Sequence, residues 1–224
     1  MTFGWGKVAR VARWVASGAI TIAACRVLAG RWDAPWMWAT VTVALLVGLP
    51  VTLAIDPELA RERRRPGPGG FDRVTVFAVA ICTAAESLIA VLDVGRFHWS
   101  DRVPAWVHVL AIGLFALGFG VVGWAVSVNR FFSSVVRIQA DRGHQLVTAG
   151  PYRYVRHPGY LGMLLAYPVI GVAIGSWWSV LPGAVAFGLV LRRMLVEDRY
   201  LRDQLPGYKE YATKVPRLIP RRPS

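Results

Sequence analysis

The chain has 224 residues, 55% of them hydrophobic and 17% charged, with a mean hydropathy of +0.43 and a formal net charge of +13. Typical soluble domains carry about 25% charged residues, so the composition excludes a disordered chain and argues against a soluble nucleic-acid-binding domain despite the charge. The two cysteines, Cys25 and Cys82, sit inside apolar runs, which leaves no disulfide framework, no CxxC and no zinc-ligand spacing.

A helix crosses the ~30 Å hydrocarbon core with about 20 residues. Four apolar runs reach that length, Trp14–Gly30, Pro35–Ile55, Val74–Gly95 and Ala105–Val128. A fifth apolar region, Gly159–Met194, is interrupted at Gly175-Ser176 and reads as a tight hairpin of two shorter helices. The expected fold is therefore an all-α integral membrane protein of about six transmembrane helices. It comprises a four-helix membrane region over residues 1–128 and a C-terminal region over 129–224. The first run follows Lys7, Arg10 and Arg13 but leads directly into a second span. Arg26 also occupies the place of a small-residue cleavage site, so this run is expected to be a retained span and not a signal peptide.

The basic residues sort by position. Lys7, Arg10 and Arg13 precede the first span, Arg61, Arg63, Arg64, Arg65 and Arg73 lie between the second and third, and Arg130 to Arg156 lie between the fourth and fifth. Nine more run from Arg192 to Arg222, whereas the segments around Asp33, Asp101 and Ser176 carry few. Excess Lys and Arg mark cytoplasmic loops, so both termini and the segments around Gly69, Gly143 and Ser224 are expected inside. The charge then reflects topology and attraction to anionic lipid, with no nucleic-acid partner expected.

Some signals have plain structural readings. Gly118-Phe119-Gly120-Val121-Val122-Gly123 spells GxGxxG, but inside a continuous apolar run, where small residues let helices pack closely. Arg26, Glu86 and Asp93 lie in or near membrane runs and need partners, with Arg26 the candidate for Glu86. His98 and His108 read as isolated interfacial residues. The loop Asp56–Gly70 reads first as a solvated basic connector, and alternatively as a clamp on an anionic headgroup or carboxylate.

The segment that carries chemistry begins where the fourth run ends. Val135–Ile138 alternates as a short extended piece, and Asp141–Gln145 reads as a turn. Then Gly150-Pro151-Tyr152-Arg153-Tyr154-Val155-Arg156-His157-Pro158-Gly159-Tyr160-Leu161-Gly162 places two Pro, three Gly, three Tyr, two Arg and a His in 13 residues at the edge of a span. Pro158 suits a first helical turn, whose free N–H groups welcome an anion. Arg153 and Arg156 can add charge-assisted bonds to a carboxylate or phosphate, and Tyr152, Tyr154 and Tyr160 offer aromatic faces to an adenine ring or a cation. Downstream, Met194, Leu201 and Leu205 form an apolar stripe that contains Glu197. A carboxylate there needs a cation, either Arg193 four residues earlier or a ligand. Asp198 is adjacent, Pro206-Gly207 ends the helix, Tyr208 and Tyr211 open a short cap, and Val215–Pro220 closes the region. A zwitterion with a carboxylate, an amine and an aromatic base fits this set of groups.

The run from Gly150 to Gly162, with Glu197-Asp198, Tyr208…Tyr211 and Arg217-Leu218-Ile219-Pro220, resembles the isoprenylcysteine carboxyl methyltransferases, which are related to membrane phospholipid N-methyltransferases. The resemblance covers about Asn129–Pro220, and the Asp56–Gly70 loop also resembles prokaryotic members. It implies a multi-pass helical bundle that encloses S-adenosylmethionine at the cytoplasmic face. It further implies a cofactor pocket lined by Tyr152, Arg156, His157, Pro158, Tyr160, Gly162, Glu197 and Asp198, although the acidic pair is usually Glu-Glu. Arg192 or Arg193 matches an arginine expected near the acceptor, and with Glu197 these are the expected catalytic residues. No metal is implied. A lipidic or prenylated acceptor is expected, with a carboxylate favoured over an amine because a carboxylate is already a nucleophile and needs no general base. Arg192, Arg193 and Arg153 are the candidates to position it. The alternatives are a phospholipid or amine N-methyltransferase, in which His144 or Glu197 would serve as base, a nicotinamide-dependent reductase resembling the sterol reductases, and a non-enzymatic transporter or scaffold built around Glu86 and Arg26.

Overall fold

A computed structural model describes residues 5–100 and 102–219, with side chains from residue 8 onward. Asp101, Pro220, Arg222, Ser224 and the side chain of Lys7, all used above, lie outside the described residues. Those residues form helices with no strand; the one β-like feature is an isolated antiparallel bridge between Phe71 and Val136.

Among the described residues four helices are long and apolar enough to cross a membrane: α1 (Trp5–Ala29), α2 (Pro35–Ala54), α4 (Arg73–Leu92, prolonged by a wider turn over Asp93–Phe97) and α5 (Ala105–Val128). α1 begins nine residues before the apolar run, because nothing between Trp5 and Arg13 breaks a helix. Arg10 and Arg13 therefore ride on the helix instead of preceding it. The second helix is followed by α3 (Pro57–Arg64), then, after α5, by α6 (Pro158–Ala166), α7 (Ile170–Ile174), α8 (Val180–Gln204) and α9 (Tyr208–Lys214).

α5 packs against both α2 and α6, and α4 packs against α8. The α5–α6 contact is close because both sides are glycine: a Cβ built on Gly162 would lie 2.4 Å from Gly118 O, and one on Gly118 would lie 2.5 Å from Gly162 O. Gly118 thus takes the packing role expected of a small residue in a membrane helix.

Residues 158–174 are not one regular helix. Pro168 lacks an N–H, and Tyr167–Val169 tightens into a 3₁₀ turn between α6 and α7. The Gly171 N–H so released reaches the carboxylate of Glu86, N to Oε1 3.0 Å. Glu86 is fully buried. The expected Glu86–Arg26 pair does not form, because the carboxyl serves this break in the neighbouring helix while Arg26 lies 5.3 Å over the Trp32 ring. Asp93 accepts from Ser100 N–H at 3.0 Å and from the Ser176 hydroxyl at 2.5 Å, so it ties the end of α4 to the turn before α8. His108 is buried instead of interfacial, with Nδ1 3.0 Å from Ala173 O and its ring stacked on Trp36.

Candidate functional site

The segment Asp56–Gly70 is not a solvated connector. Asp56 caps α3 by accepting from Leu59 N–H at 2.8 Å, and Pro57 starts the helix. α3 then docks onto the segment after α5 through its carboxylates. Glu62 accepts from Arg137 Nε and Nη2, both at 2.9 Å, and from the Ser133 hydroxyl at 2.9 Å. Glu58 accepts from Arg130 at 3.0 Å and from Arg142 at 3.2 Å. The Glu62–Arg137 pair is buried and bidentate, which fixes orientation as well as charge. Arg137 holds Glu62 below the usual carboxylate range.

A second network fastens the end of α8. Asp198 is buried and receives Arg156 in a fork, Nε at 2.6 Å and Nη2 at 3.2 Å. It also receives His157 Nε2 at 2.9 Å, the Tyr208 hydroxyl at 3.0 Å, Arg217 at 2.9 Å and Arg202 at 3.2 Å. Burial alone would raise this carboxyl, but the bonds from His157, Arg156 and Arg217 outweigh burial and hold it far below the carboxylate range. Backbone bonds add to the clamp, from Arg156 N–H to Pro216 O and from His157 N–H to Arg217 O. Tyr211 donates to Tyr152 O at 2.6 Å, and Asn129 donates to the Tyr152 hydroxyl at 3.0 Å.

Between the two networks lies a cavity of about 340 Å³. Its wall combines polar and aromatic side chains, Tyr152, Arg156, His157, Tyr160, Glu197 and Tyr208, with apolar ones, Val76, Val79, Ala80, Met163 and Val190, and with Tyr167. Phe131, Phe132, Ser134 and His144 line it from the segment after α5, and Arg63 from α3. Tyr160 donates to Glu197 Oε2 at 2.7 Å. The intrahelical Arg193–Glu197 pair is absent, because Arg193 turns to Asp72, which it meets at the carbonyl (2.8 Å) and at Oδ2 (3.0 Å), and to Ser134 O at 3.0 Å.

Seven of the residues expected from sequence meet at this cavity: Tyr152, Arg156, His157, Pro158, Tyr160, Arg193 and Glu197. Gly162 does not line it, since its open side is filled by α5. Asp198 lies behind the wall, consumed by its own cations. Arg192 is exposed and bonds to Thr75 at 3.0 Å on the outside of α8, and Arg153 and Tyr154 face outward. Arg63 belongs to the loop that has the alternative reading of an anion clamp, though it was not singled out there, and Asn129, Phe131 and Phe132 were not expected. Asn129 at the very end of an apolar run is the one sequence signal that marks such a position.

His144 is buried beside Arg137 and Arg142. Burial first, then those two charges, bring its pKa down to about 4. Its Nδ1 accepts from Gln139 N–H at 3.3 Å. Among the described residues no cluster of three or more His, Cys, Asp or Glu side chains is placed to hold a metal ion.

Residues 106–206, which carry most of this wall, match the family model for phospholipid methyltransferases. The probable protein-S-isoprenylcysteine O-methyltransferase of Oryza sativa subsp. indica is 39% identical over 101 residues, 42% of this chain and 51% of the rice protein. Over this stretch the chain is similar to protein-S-isoprenylcysteine O-methyltransferases. The protein-S-isoprenylcysteine O-methyltransferase of Schizosaccharomyces pombe is 34% identical over 117 residues, 49% of this chain and 48% of that protein. The cobalt-zinc-cadmium resistance protein CzcN of Cupriavidus metallidurans is 30% identical over 150 residues, 66% of this chain and 64% of CzcN. The chain therefore spans between about half and two thirds of the length of these relatives. The phospholipid methyltransferase match, residues 106–206, overlaps the stretch Asn129–Pro220 that carries the sequence resemblance.

Proposed function

We propose that this protein is an integral-membrane S-adenosylmethionine-dependent methyltransferase that esterifies the carboxylate of a prenylated or lipidic acceptor. Six spans, counting residues 158–174 and the first part of α8 as a hairpin, and cytoplasmic termini belong to the same proposal. The observation that carries it is one cavity lined both by charged and aromatic groups and by aliphatic side chains. A polar donor and a greasy acceptor need such a pair of surfaces side by side. The cytoplasmic placement rests on the basic residues of α3, of the segment after α5 and of the end of α8.

The groups present suit the methyl donor. Tyr160 occupies only Oε2 of Glu197, which leaves Oε1 for an ammonium. Tyr152, Tyr160 and Tyr208 present aromatic surface to an adenine ring or a cationic centre. The cavity volume falls within the lower part of the range of small-molecule sites, about 300–1,000 Å³. When bound, the donor supplies a methyl group on a sulfonium, with a good leaving group already in place. Glu197 and the tyrosines hold and orient, Arg156 and His157 are locked by Asp198 so that the wall does not move, and the aliphatic side chains exclude water.

With Glu197 given to the donor's ammonium, neither histidine of the cavity is a free base, which favours ester formation over amine methylation. The His157 Nε2 is committed to Asp198 and Tyr208 at 2.9 and 3.1 Å. His144, with its pKa at about 4 and Nδ1 engaged, is a poor proton acceptor. A carboxylate acceptor needs no deprotonation. The test offers purified protein a labelled methyl donor with a prenylcysteine analogue and, separately, with phosphatidylethanolamine. Base-labile label on the first is expected. Base-stable label only on the second would replace the ester reading with amine methylation, and binding of a nicotinamide cofactor in place of S-adenosylhomocysteine would replace both.

A further inference from the structure

Arg63 is the half-buried arginine of α3, while its neighbours Arg61, Arg64 and Arg65 are exposed. The docking of α3 turns it into the cavity wall. There Nη1 donates to Phe132 O at 3.2 Å, and the guanidinium lies 5.6 Å from the centre of the Phe132 ring. The Arg63 carbonyl accepts from the Ser134 hydroxyl, which fixes the stem. No carboxylate meets this cation among the described residues, because each nearby acid is taken. Glu62 and Asp141 go to Arg137, and Glu58 goes to Arg130 and Arg142. A cation removed from water without an anion is costly, and burial accordingly lowers the Arg63 pKa. Neither the Asp198 network nor the Arg193–Asp72 contact accounts for it.

Its position puts it where the donor groups meet the apolar wall. The Phe132 ring under it packs on Gly159, the residue before Tyr160, where a Cβ would lie 2.4 Å from the ring. Tyr167, its titratable neighbour, lies two turns of helix beyond Tyr160, and Val76, Val79 and Met163 also line the cavity. A ligand whose anionic head meets Arg63 has its apolar part against that wall. Arg192 is outside the cavity, and Arg193 already neutralises Asp72. We infer that Arg63 is the cation that binds and positions the acceptor's carboxylate, with the attached lipid chain lying along α4. This rests on the methyltransferase reading above. Only two of its donors are needed for a carboxylate, and the contact to Phe132 O leaves others free.

The experiment compares binding of an S-prenylcysteine analogue with that of its uncharged carboxamide, in detergent, using wild-type protein, Arg63→Gln, Arg63→Lys and the exposed control Arg61→Gln. Wild type and Arg61→Gln should bind the acid at least about tenfold more tightly than the amide, the factor set by one charge-assisted bond. Arg63→Gln should bind both equally, with unchanged affinity for S-adenosylhomocysteine. Arg63→Lys should recover part of the preference. Equal binding of acid and amide by wild type would overturn the assignment even if Arg63→Gln failed to fold. So would a preserved preference in Arg63→Gln, or a loss of S-adenosylhomocysteine affinity, which would move Arg63 to the donor. Failure of the wild type to bind S-adenosylhomocysteine would instead sink the methyltransferase reading, while the acid–amide comparison would still judge Arg63.

Discussion

Arg156 grips Asp198 in a fork, Nε at 2.6 Å and Nη2 at 3.2 Å, across 42 residues of sequence. The pair joins the motif before α6 to the end of α8, with both side chains buried. Breaking a buried pair by removing one partner typically costs about 3–5 kcal/mol, because the other charge is stranded. Asp198 also serves His157, Arg202 and Arg217, so Asp198→Asn should lower the melting temperature in detergent by about 10 °C. A change of less than a few degrees would show that the network is dispensable for stability.

Glu197 sits one residue earlier with a different fate. Its partner is a single tyrosine hydroxyl, and it lines the cavity. Glu197→Gln keeps size and hydrogen bonding to Tyr160 but removes the charge. It should weaken S-adenosylhomocysteine binding by about tenfold with little loss of thermal stability. Calorimetric titration checks the first and a melting scan the second. The opposite pattern, stability lost and affinity kept, would exchange the roles assigned to Glu197 and Asp198.

The pH dependence follows from His144. Its pKa falls from 6.5 to about 4 on folding. As pH drops below about 6.5 the unfolded chain takes up a proton that the folded chain refuses until about pH 4. Stability therefore declines across that window and the His144 contribution levels off below it. His144→Gln should flatten this part of the stability profile, as read by melting temperature from pH 7 to 4. An unchanged slope would show that His144 is not the group responsible.

The sequence displayed the spans and the motif far better than the contacts between them. Pro35 and Ala105 start helices because an apolar run of the right length follows each. Glu197 could be singled out because an acid on the stripe Met194–Leu201–Leu205 has to be accounted for. Arg63 could not, since four arginines in five positions look alike until Glu62 meets Arg137 75 residues away. Gly162 was misplaced for a related reason. A glycine in a ligand motif and a glycine at a helix crossing read identically, and the crossing depends on Gly118 in another helix. The partner of Glu86 was hidden in the break at Pro168, which frees an N–H that no pairing of charges would suggest.

Orientation in the membrane admits a direct check. Reporter fusions at Gly69 and Gly143 should read inside, and those at Asp33 and Ser176 outside. An inside reading at Ser176 would mean that residues 158–174 do not cross, and the site would then have to be redrawn relative to the bilayer.

The cavity draws its wall from two parts of the chain. Most of the polar groups lie within residues 106–206, the stretch that matches the methyltransferase family model, while Arg63, Val76, Val79 and Ala80 come from before it. Chimeras between homologues joined in the loop before α5 should thus inherit their two traits separately. Donor use would travel with the C-terminal partner, and the choice among greasy acids would stay with the N-terminal one. A lineage can in this way drift in what it modifies, by altering α3 and α4, without disturbing how it modifies.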